Sequence, residues 1–205
     1  MDTIMTKRIL VPIAPGTEEM EAITVIDILT RAGYQVTVAS ADFNGSLTMN
    51  ASRGVTLTAD CTLVDIADEE FDAVVLSGGV GGAEVFRDST VLIEIVRQQK
   101  YDGRLVAAIC AAPAIVLQHH DLFPGAIMTC HPNFQDQIPA DLLRARRVTY
   151  DVLNNLLTSQ GPGSALEFAI EIIIQLSGKE LARQVAEPMV VLPQLQYDKL
   201  GEEQQ

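Results

Sequence analysis

The fold is decided by "LVAAICAAPA", residues 105–114. The stretch opens with a short, fully apolar run, which is typical of a strand buried on both faces of a parallel sheet. Cys110 follows this run at once, and Pro113 comes three residues later. Proline suits the first turn of a helix, where no backbone donor is needed. The stretch therefore predicts a buried strand that turns sharply into a helix and carries a cysteine at the turn.

The small residues around Cys110 indicate a thiol that is presented rather than packed. Ala108 lies two positions before it, and Ala111 and Ala112 follow it. The nucleophile elbow of hydrolases places small residues in the same way, so that the nucleophile is exposed at the sheet edge. Because the start of a helix stabilises an anion, we expect the pKa of Cys110 to lie below the ordinary thiol value. The alternative is an inert, buried cysteine, which is common in strands.

Outward from this stretch, strands alternate with helical patterns. An apolar run at 8–14, a helical pattern at 18–33 and a second apolar run at 34–40 make a βαβ unit with parallel strands. The pattern resumes with the strand "FDAVVLSGG" (71–79) and the strand that ends before Cys110. We therefore expect an α/β fold, with a mostly parallel sheet and helices on both of its faces.

The remaining elements fit one domain over residues 1–205, with a disordered tail from about residue 195. The expected elements are a hairpin at one sheet edge over 45–60, helices over 89–100, about 112–119, 164–178 and 179–189, and strands over 126–130 and 148–160.

The charge balance disfavours several classes of partner. The chain has 27 acidic and 14 basic residues and a formal net charge of −13. Nucleic acids and anionic membrane surfaces both need a basic face, so neither is expected as a partner. The basic cluster of Arg144, Arg146 and Arg147 is interpreted as a solvated loop rather than an anion site.

The cysteines favour a reducing compartment. Their number is odd and they lie far apart in sequence, at positions 61, 110 and 130. No apolar run reaches the ~20 residues of a membrane span, and the N-terminal apolar run is too short for a signal peptide. We therefore expect a cytoplasmic protein. No zinc-type spacing of His, Cys and carboxylates is present, so no metal is expected.

Three features fall at the carboxyl ends of predicted strands, where sites form in open parallel sheets. They are Cys110, the glycine loop "SGGVGG" (77–82) and the acidic segment "PGTEEME" (15–21). Glycine N–H groups can hold an oxyanion formed beside the thiol, although a tight turn also needs glycines. Two of the three glutamates in the acidic segment read as favourable charges at a helix start, and one reads as a proton donor to the site.

The histidines differ in their prospects. His119 and His120 close the helix after Cys110, where cations are favoured, and we interpret both as structural or solvated. His131, in "TCHPNF", follows a predicted strand and is the better candidate for a base near the thiol.

Five stretches together resemble the ThiJ/PfpI superfamily, in the branch that contains the parkinsonism-associated deglycase and its bacterial YajL relatives. They are "PGTEEMEA", "SRGV", "LSGGVGGAEVFRDS", "VAAICAAPA" and "LLTSQGPGSALEFAI", and the resemblance runs from about residue 8 to 190. It implies a flavodoxin-like three-layer sandwich, a homodimer, an oxidation-sensitive cysteine and no external cofactor.

The resemblance also implies roles for single residues. Cys110 matches the nucleophile, and Glu21 matches a protonated glutamate that hydrogen-bonds its sulfur. The backbone amides of Gly79 and Ala111, with Gly78 in the same loop, match oxyanion donors. A further set matches positions near the cysteine, around the pocket or at the dimer interface, and consists of His131, Arg53, Arg31 and the "GPG" loop at 161–163.

Three positions depart from the family pattern or lack a role in it. Ser77 stands where proline is frequent before the two glycines, which loosens the loop. Cys130 is unusual beside His131, and is either a packed thiol or a resolving thiol for Cys110. Cys61 is interpreted as a spectator.

The resemblance implies an enzyme that uses Cys110 as a glyoxalase or deglycase on methylglyoxal, glyoxal or their early protein and nucleotide adducts. The alternative from another class is an oxidative-stress sensor or redox-regulated chaperone that uses oxidation of Cys110 without turnover. A weaker third possibility is a cysteine peptidase, which needs a base aligned with the thiol.

Overall fold

A seven-stranded sheet forms the centre of the protein, and a separate hairpin lies beside it. The computed structural model describes residues 6–191, so the predicted disordered tail from about residue 195 lies outside the described residues. The strands are β1 (Arg8–Ile13), β2 (Gln35–Ser40), β3 (Thr48–Asn50), β4 (Thr56–Thr58), β5 (Cys61–Thr62), β6 (Ala73–Leu76), β7 (Leu105–Ile109), β8 (Val148–Asp151) and β9 (Leu156–Ser159).

The sheet is parallel except at one edge. Its strand order is β5-β2-β1-β6-β7-β9-β8, and only the β8–β9 pair in this sheet is antiparallel among the described strands. The strands β6 and β7 lie near its centre and are fully buried, as their continuous apolar runs predict. This order brings the carboxyl ends of β1, β6 and β7 to one edge of the sheet, where the three sequence features meet.

Helices flank the sheet, which confirms the predicted α/β class and flavodoxin-like sandwich. The helix α1 packs against α4, and α2 packs against α3. No described helix is long and apolar enough to cross a membrane. The helices are α1 (Glu19–Arg31), α2 (Val80–Asp88), α3 (Thr90–Tyr101), α4 (Ala165–Ser177) and α5 (Lys179–Ala186), with a π-helix at Pro113–Gln118 and 3-10 turns at Val64–Ile66, Pro132–Gln137 and Pro162–Ser164.

Two predicted segments were wrong. The segment 126–130 forms only an isolated bridge between Met128 and Leu143, because side chains bind its amides: the Ile127 N–H donates to Asp151 and the Thr129 N–H to Thr158. The glycine loop 77–82 is shorter than predicted, since α2 begins at Val80 and takes in its last two glycines.

The hairpin over 45–60 is present as β3 and β4, but it forms its own two-stranded sheet instead of extending an edge of the main sheet. The last predicted helix ends at Ala186, three residues earlier than expected.

Candidate active site

Cys110 occupies a strained turn directly after β7. Its φ is 64°, a left-handed conformation that costs a residue with a side chain roughly 1–2 kcal/mol. Two hydrogen bonds hold the turn: the Cys110 N–H donates to the Ser159 carbonyl at 3.0 Å, and the Cys110 carbonyl accepts from the His131 N–H at 2.8 Å. The predicted sharp turn is therefore present. The residue is only 8% exposed, so its thiol is less open to solvent than an elbow at the sheet edge suggests.

Gly78 brings the β6 end against Cys110 and α1. A Cβ atom on Gly78 would lie 2.5 Å from the Cβ of Cys110 and 2.9 Å from Oε2 of Glu21. No side chain fits in this space, and the absence of one lets the Gly78 N–H donate to Oε2 of Glu21 at 2.7 Å. The close approach therefore places a carboxyl, a thiol and a backbone amide around one point.

Gly79 allows a tight turn to pack closely and also supplies a backbone donor to the site. Its φ is 79°, and a Cβ atom there would lie 2.2 Å from the Gly16 carbonyl oxygen, so the loop before α1 can pack on it only if it is glycine. Its backbone amide and that of Ala111 also lower the pKa of the Cys110 thiol, because they favour a negative charge on the sulfur. These two backbone amides are therefore the candidate donors for an oxyanion or an oxidised sulfur at Cys110.

The three glutamates at the start of α1 have three different surroundings. Glu18 caps the helix, and its Oε2 accepts from the Glu21 N–H at 2.8 Å. Glu19 accepts from the Ser52 hydroxyl at 2.9 Å and from the Arg53 N–H at 2.8 Å, which holds the β3–β4 turn against α1. Glu21 is fully buried and faces Cys110.

Glu21 is held in its neutral form. Burial raises its pKa from 4.5 to about 8, the hydrogen bond from the Gly78 N–H and the neighbouring Cys110 thiol partly oppose this shift, and the charge of Glu18 adds to it. The other oxygen of Glu21, Oε1, accepts no hydrogen bond from a described residue, and the Cys110 thiol is the polar group beside the carboxyl. A carboxyl that is protonated near neutral pH beside a thiol can donate a proton to a reacting atom and take it back.

The pKa of Cys110 moves against the prediction. Burial raises the pKa of the thiol, a charged Glu21 raises it further, and the amides of Gly79 and Ala111 lower it. The predicted depression is wrong because the site is closed to water, and because the helix after the turn is a π-helix of only six residues. The ionisation of Cys110 is therefore coupled to that of Glu21: a charged Glu21 disfavours the thiolate, and a neutral Glu21 favours it.

His131 lies beside the site through its backbone. Its N–H binds the Cys110 carbonyl, while its Nδ1 accepts from the Asn133 N–H at 3.2 Å, which leaves the proton of the neutral ring on Nε2. The ring packs beside Gly161. Within residues 6–191, no hydrogen bond or charge interaction joins the ring to the Cys110 sulfur. The base role of His131 stays a prediction.

The arginines fall in different places. The Arg53 backbone is tied to Glu19, and its side chain is exposed and forms no ion pair with a described residue. Arg31 pairs with Asp27 at the far end of α1, about 18 Å along the helix from Glu19, and lies away from the pocket of its own chain. Arg147 is exposed, in agreement with its interpretation as solvated, and it also binds Glu167 at 2.9 Å and the Gly163 carbonyl.

Arg147 and Ser159 are residues near the site that sequence reasoning missed. Arg147 anchors the "GPG" loop, and Ser159 supplies the carbonyl that fixes the Cys110 turn. No local sequence pattern indicates the role of Arg147. The role of Ser159 depends on the pairing of β9 with β7, which the sequence does not specify.

The other cysteines are free, as is Cys110. Cys130 is fully buried, and its thiol donates to the His131 carbonyl at 3.4 Å. Burial raises the pKa of Cys130, as does the charge of Asp136, so a packed thiol describes it well. Cys61 is partly buried at the edge strand β5. The disulfide between Cys110 and Cys130 stays a prediction.

The other candidates contribute little to the site. The Ser77 hydroxyl is buried and has no hydrogen-bond partner among the described residues. His120 Nε2 contacts the Arg87 carbonyl at 2.7 Å, and its ring packs edge-on against His119. Across the described residues, no group of three or more His, Cys, Asp or Glu side chains is placed to hold a metal.

Comparison with known families identifies this arrangement. The model of the DJ-1/PfpI family matches residues 7–175, a span that contains the thiol, the carboxyl and the glycine loop. The chain belongs to the DJ-1/PfpI family. Among curated relatives it is similar to protein dj-1beta of Drosophila melanogaster, with 41% identity over 91% of this chain and 98% of that protein. It is also similar to the glutathione-independent glyoxalase DJR-1.2 of Caenorhabditis elegans, with 30% identity over 89% and 96%.

Solved structures show the same family relation, in its DJ-1 branch. The crystal structure of the VC2308 protein has a TM-score of 0.89 and 54% identity over 93% of this chain and 96% of that one. Oxidized DJ-1 of Toxoplasma gondii has a TM-score of 0.88 and 40% identity over 92% and 100%. This chain spans only 42% of the length of DJ-1 homolog B of Arabidopsis thaliana, which is 39% identical to it over 92% of this chain. The bacterial YajL-like subtype stays a prediction.

Proposed function

We propose that this member of the DJ-1/PfpI family is a cysteine-dependent, glutathione-independent glyoxalase. The observation that carries the proposal is the packing of the neutral Glu21 carboxyl against the Cys110 thiol across Gly78. It combines a nucleophile, an acid-base group and backbone donors without a cofactor, as addition to an aldehyde requires. The name of the Caenorhabditis elegans relative as a glyoxalase supports the same activity.

The first step is addition to the aldehyde of methylglyoxal. The Cys110 sulfur forms a bond to the aldehyde carbon, and the electron pair of the C=O bond moves to its oxygen. We assign the stabilisation of that charge to the amides of Gly79 and Ala111, which favour negative charge at the Cys110 sulfur. Glu21 provides the proton that converts the oxyanion to a hemithioacetal, and the thiol proton restores Glu21.

The later steps move one proton between carbons and consume one water. One oxygen of the neutral Glu21 carboxyl takes the hydrogen on the former aldehyde carbon as a proton, while the proton on its other oxygen passes to the ketone oxygen. The electron pair of the broken C–H bond forms the C=C bond of an enediol. Glu21 then gives a proton to the neighbouring carbon and takes the hydroxyl proton from the sulfur-bearing carbon, whose C=O bond forms, and a lactoyl thioester results. Water then attacks the thioester, the C–S bond breaks, and lactate and the free thiol result. The sum is methylglyoxal plus water to lactic acid, so no electron acceptor is needed.

The same chemistry extends to glyoxal and to early adducts of these aldehydes on proteins and nucleotides, which would make the protein a deglycase. Such adducts carry an aldehyde-derived carbon that the sulfur can attack after the adduct opens. The exposed Arg53, held beside Glu19 at the same end of the sheet, is the side chain that we propose contacts larger substrates.

The test is lactate formation from methylglyoxal in the absence of glutathione. We expect turnover in the wild type, none in Cys110→Ser, and unchanged turnover in Cys61→Ser, because Cys61 lies in the edge strand β5, four strands away from β7. Lactate at the wild-type rate from Cys110→Ser would rule out the mechanism. Absence of turnover in the wild type would rule out the glyoxalase itself.

The second candidate function is an oxidative-stress sensor or redox-regulated chaperone. Two backbone donors at the Cys110 sulfur and a neutral carboxyl beside it are suited to hold the oxygens of a sulfinate. The oxidized Toxoplasma gondii structure is a relative with the same fold. Intact mass and disulfide mapping after mild peroxide test this candidate: oxygen added at Cys110 supports it, and a Cys110–Cys130 disulfide would make Cys130 the resolving thiol.

We also propose that the protein is a homodimer in a reducing, cytoplasmic setting. On the outer side of α1, Met20 and Ile23 are 59% and 47% exposed, and they lie one turn apart on one face. Three free cysteines suit a reducing compartment. Light scattering of the wild type and of Ile23→Glu checks the dimer: the variant should be monomeric, and an unchanged mass would place the interface elsewhere.

A further inference from the structure

Glu18, Gly78 and Glu21 form a closed set of hydrogen bonds. The Glu18 N–H donates to the Gly78 carbonyl at 2.9 Å, and the Gly78 N–H donates to the Glu21 carboxyl at 2.7 Å. The Glu21 N–H in turn donates to the Glu18 carboxyl at 2.8 Å. The backbone and side chain of Glu18 therefore both fix where the Glu21 carboxyl lies relative to the glycine loop.

The Glu18 carboxylate is more than a helix cap. It is only 8% exposed, and within the described chain it has no cationic partner. Serine, threonine or aspartate caps a helix equally well, so capping alone does not explain a long, buried, uncompensated acid at this position. Its charge lies one helical turn from Glu21, on the same side of α1 as the hydrogen-bonded set.

We propose that Glu18 is a positioning residue that orients the Glu21 carboxyl and keeps it protonated. This inference rests on the proposed function, because it assigns Glu21 the role of proton carrier. A negative charge close to a buried carboxyl disfavours a second negative charge there. Glu18 therefore extends the pH range over which Glu21 can donate a proton to the oxygen beside Cys110.

The groups facing Glu21 are few. The start of α1 provides the Glu18 carboxylate, the loop after β6 provides the Gly78 N–H, and the turn after β7 provides the Cys110 thiol. Glu19 belongs to the same helical turn, but its carboxylate binds the Ser52–Val55 turn and does not act on Glu21. No described basic side chain acts on Glu21, so Glu18 is the charge that a variant can remove.

The test compares Glu18→Gln with Glu18→Asp. Glutamine keeps an oxygen that can accept from the Glu21 N–H but removes the charge, whereas aspartate keeps the charge and is a good N-cap. The alkaline limb of the kcat profile should move down by about one pH unit in Glu18→Gln and stay in place in Glu18→Asp. Glu19→Gln is the matched control, and the position of its limb should not move.

A second readout does not depend on turnover. The infrared C=O stretch of a protonated carboxyl, assigned by its loss in Glu21→Gln, is titrated against pH in the wild type and in Glu18→Gln. The band should disappear at lower pH in Glu18→Gln. An unmoved band and limb would overturn the proposal for Glu18 even if the glyoxalase is active. A shifted band in a protein without turnover would support Glu18 while the proposed enzyme fails.

Discussion

Glu19 and Glu21 lie two residues apart on one turn of α1, both are buried, and their carboxyls behave in opposite ways. Burial acts to raise the pKa of Glu19, but donors from Ser52, Arg53 and Val55 outweigh it and lower the pKa below the ordinary value. Glu21 has one amide donor and a thiol, and burial raises its pKa to about 8. The depth of burial and the number of donors together therefore decide which carboxyl is charged. The first carboxyl fastens a loop, and the second is available to move a proton.

The largest expected effect is on the pH dependence of stability. The folded chain binds the Glu21 proton more tightly than the unfolded chain, so wild-type stability is complete below about pH 4.5 and falls as pH rises to about 8. Glu21→Gln carries no such charge. Its unfolding free energy relative to the wild type should rise by up to roughly 5 kcal/mol across this range. Urea unfolding of the two reduced proteins at several pH values measures this difference. If the unfolding free energies of the wild type and Glu21→Gln changed in parallel with pH, Glu21 would be charged in the folded protein.

The next effect is on turnover. Glu21→Gln should lower kcat for lactate formation by about 100-fold or more, the scale of general acid-base catalysis. Iodoacetamide should still alkylate Cys110, because the turn that presents the thiol remains. Glu19→Gln should lower kcat only by roughly a few-fold, since its carboxylate does not face the thiol. Equal losses in both variants would mean that the helix turn, rather than the Glu21 proton, is what matters.

The smallest effect is on the stability of Glu19→Gln. The lowered pKa of Glu19 stabilises the fold fully above the unfolded value of 4.5, and this contribution is lost as pH falls below 4.5 and through the lower pKa of the folded chain. We expect Glu19→Gln to lose about 1–2 kcal/mol of unfolding free energy near neutral pH, with a difference that shrinks in acid. The slope is opposite in sign to that of Glu21→Gln. A urea midpoint that does not change at neutral pH would contradict the clamp on the β3–β4 turn.

The parallel sheet and the turn at Cys110 could be predicted because both leave local marks in the sequence. The buried strands β6 and β7 are short apolar runs, and the small residues beside Cys110 reflect the tight turn after β7. The identity of the acid facing the thiol could not be predicted. Each residue of an α-helix is rotated by about 100° from the one before it. A shift of one residue in the predicted start of α1 therefore changes whether Glu18, Glu19 or Glu21 faces inward.

The missed helix and the thiol pKa needed tertiary information. Gly82 lowers helix propensity, which made α2 look like a loop, but a Cβ atom there would lie 2.7 Å from the Thr17 Cα. Position 82 therefore requires glycine because it packs closely against the segment before α1. The direction in which the pKa of Cys110 shifts depends on burial and on Glu21, and neither can be predicted from the residues next to the thiol.

The first turn of α1 exposes Met20 and buries Glu21 completely. Successive peptide units of one rigid helical turn thus carry a side chain on the outer surface and the carboxyl that faces the thiol. Met20 and Glu21 are joined by one peptide unit, so a tilt of this turn caused by contact at Met20 also moves the Glu21 carboxyl. A contact on the outer face of α1 can therefore change the distance between this carboxyl and the Cys110 thiol without passing through other side chains.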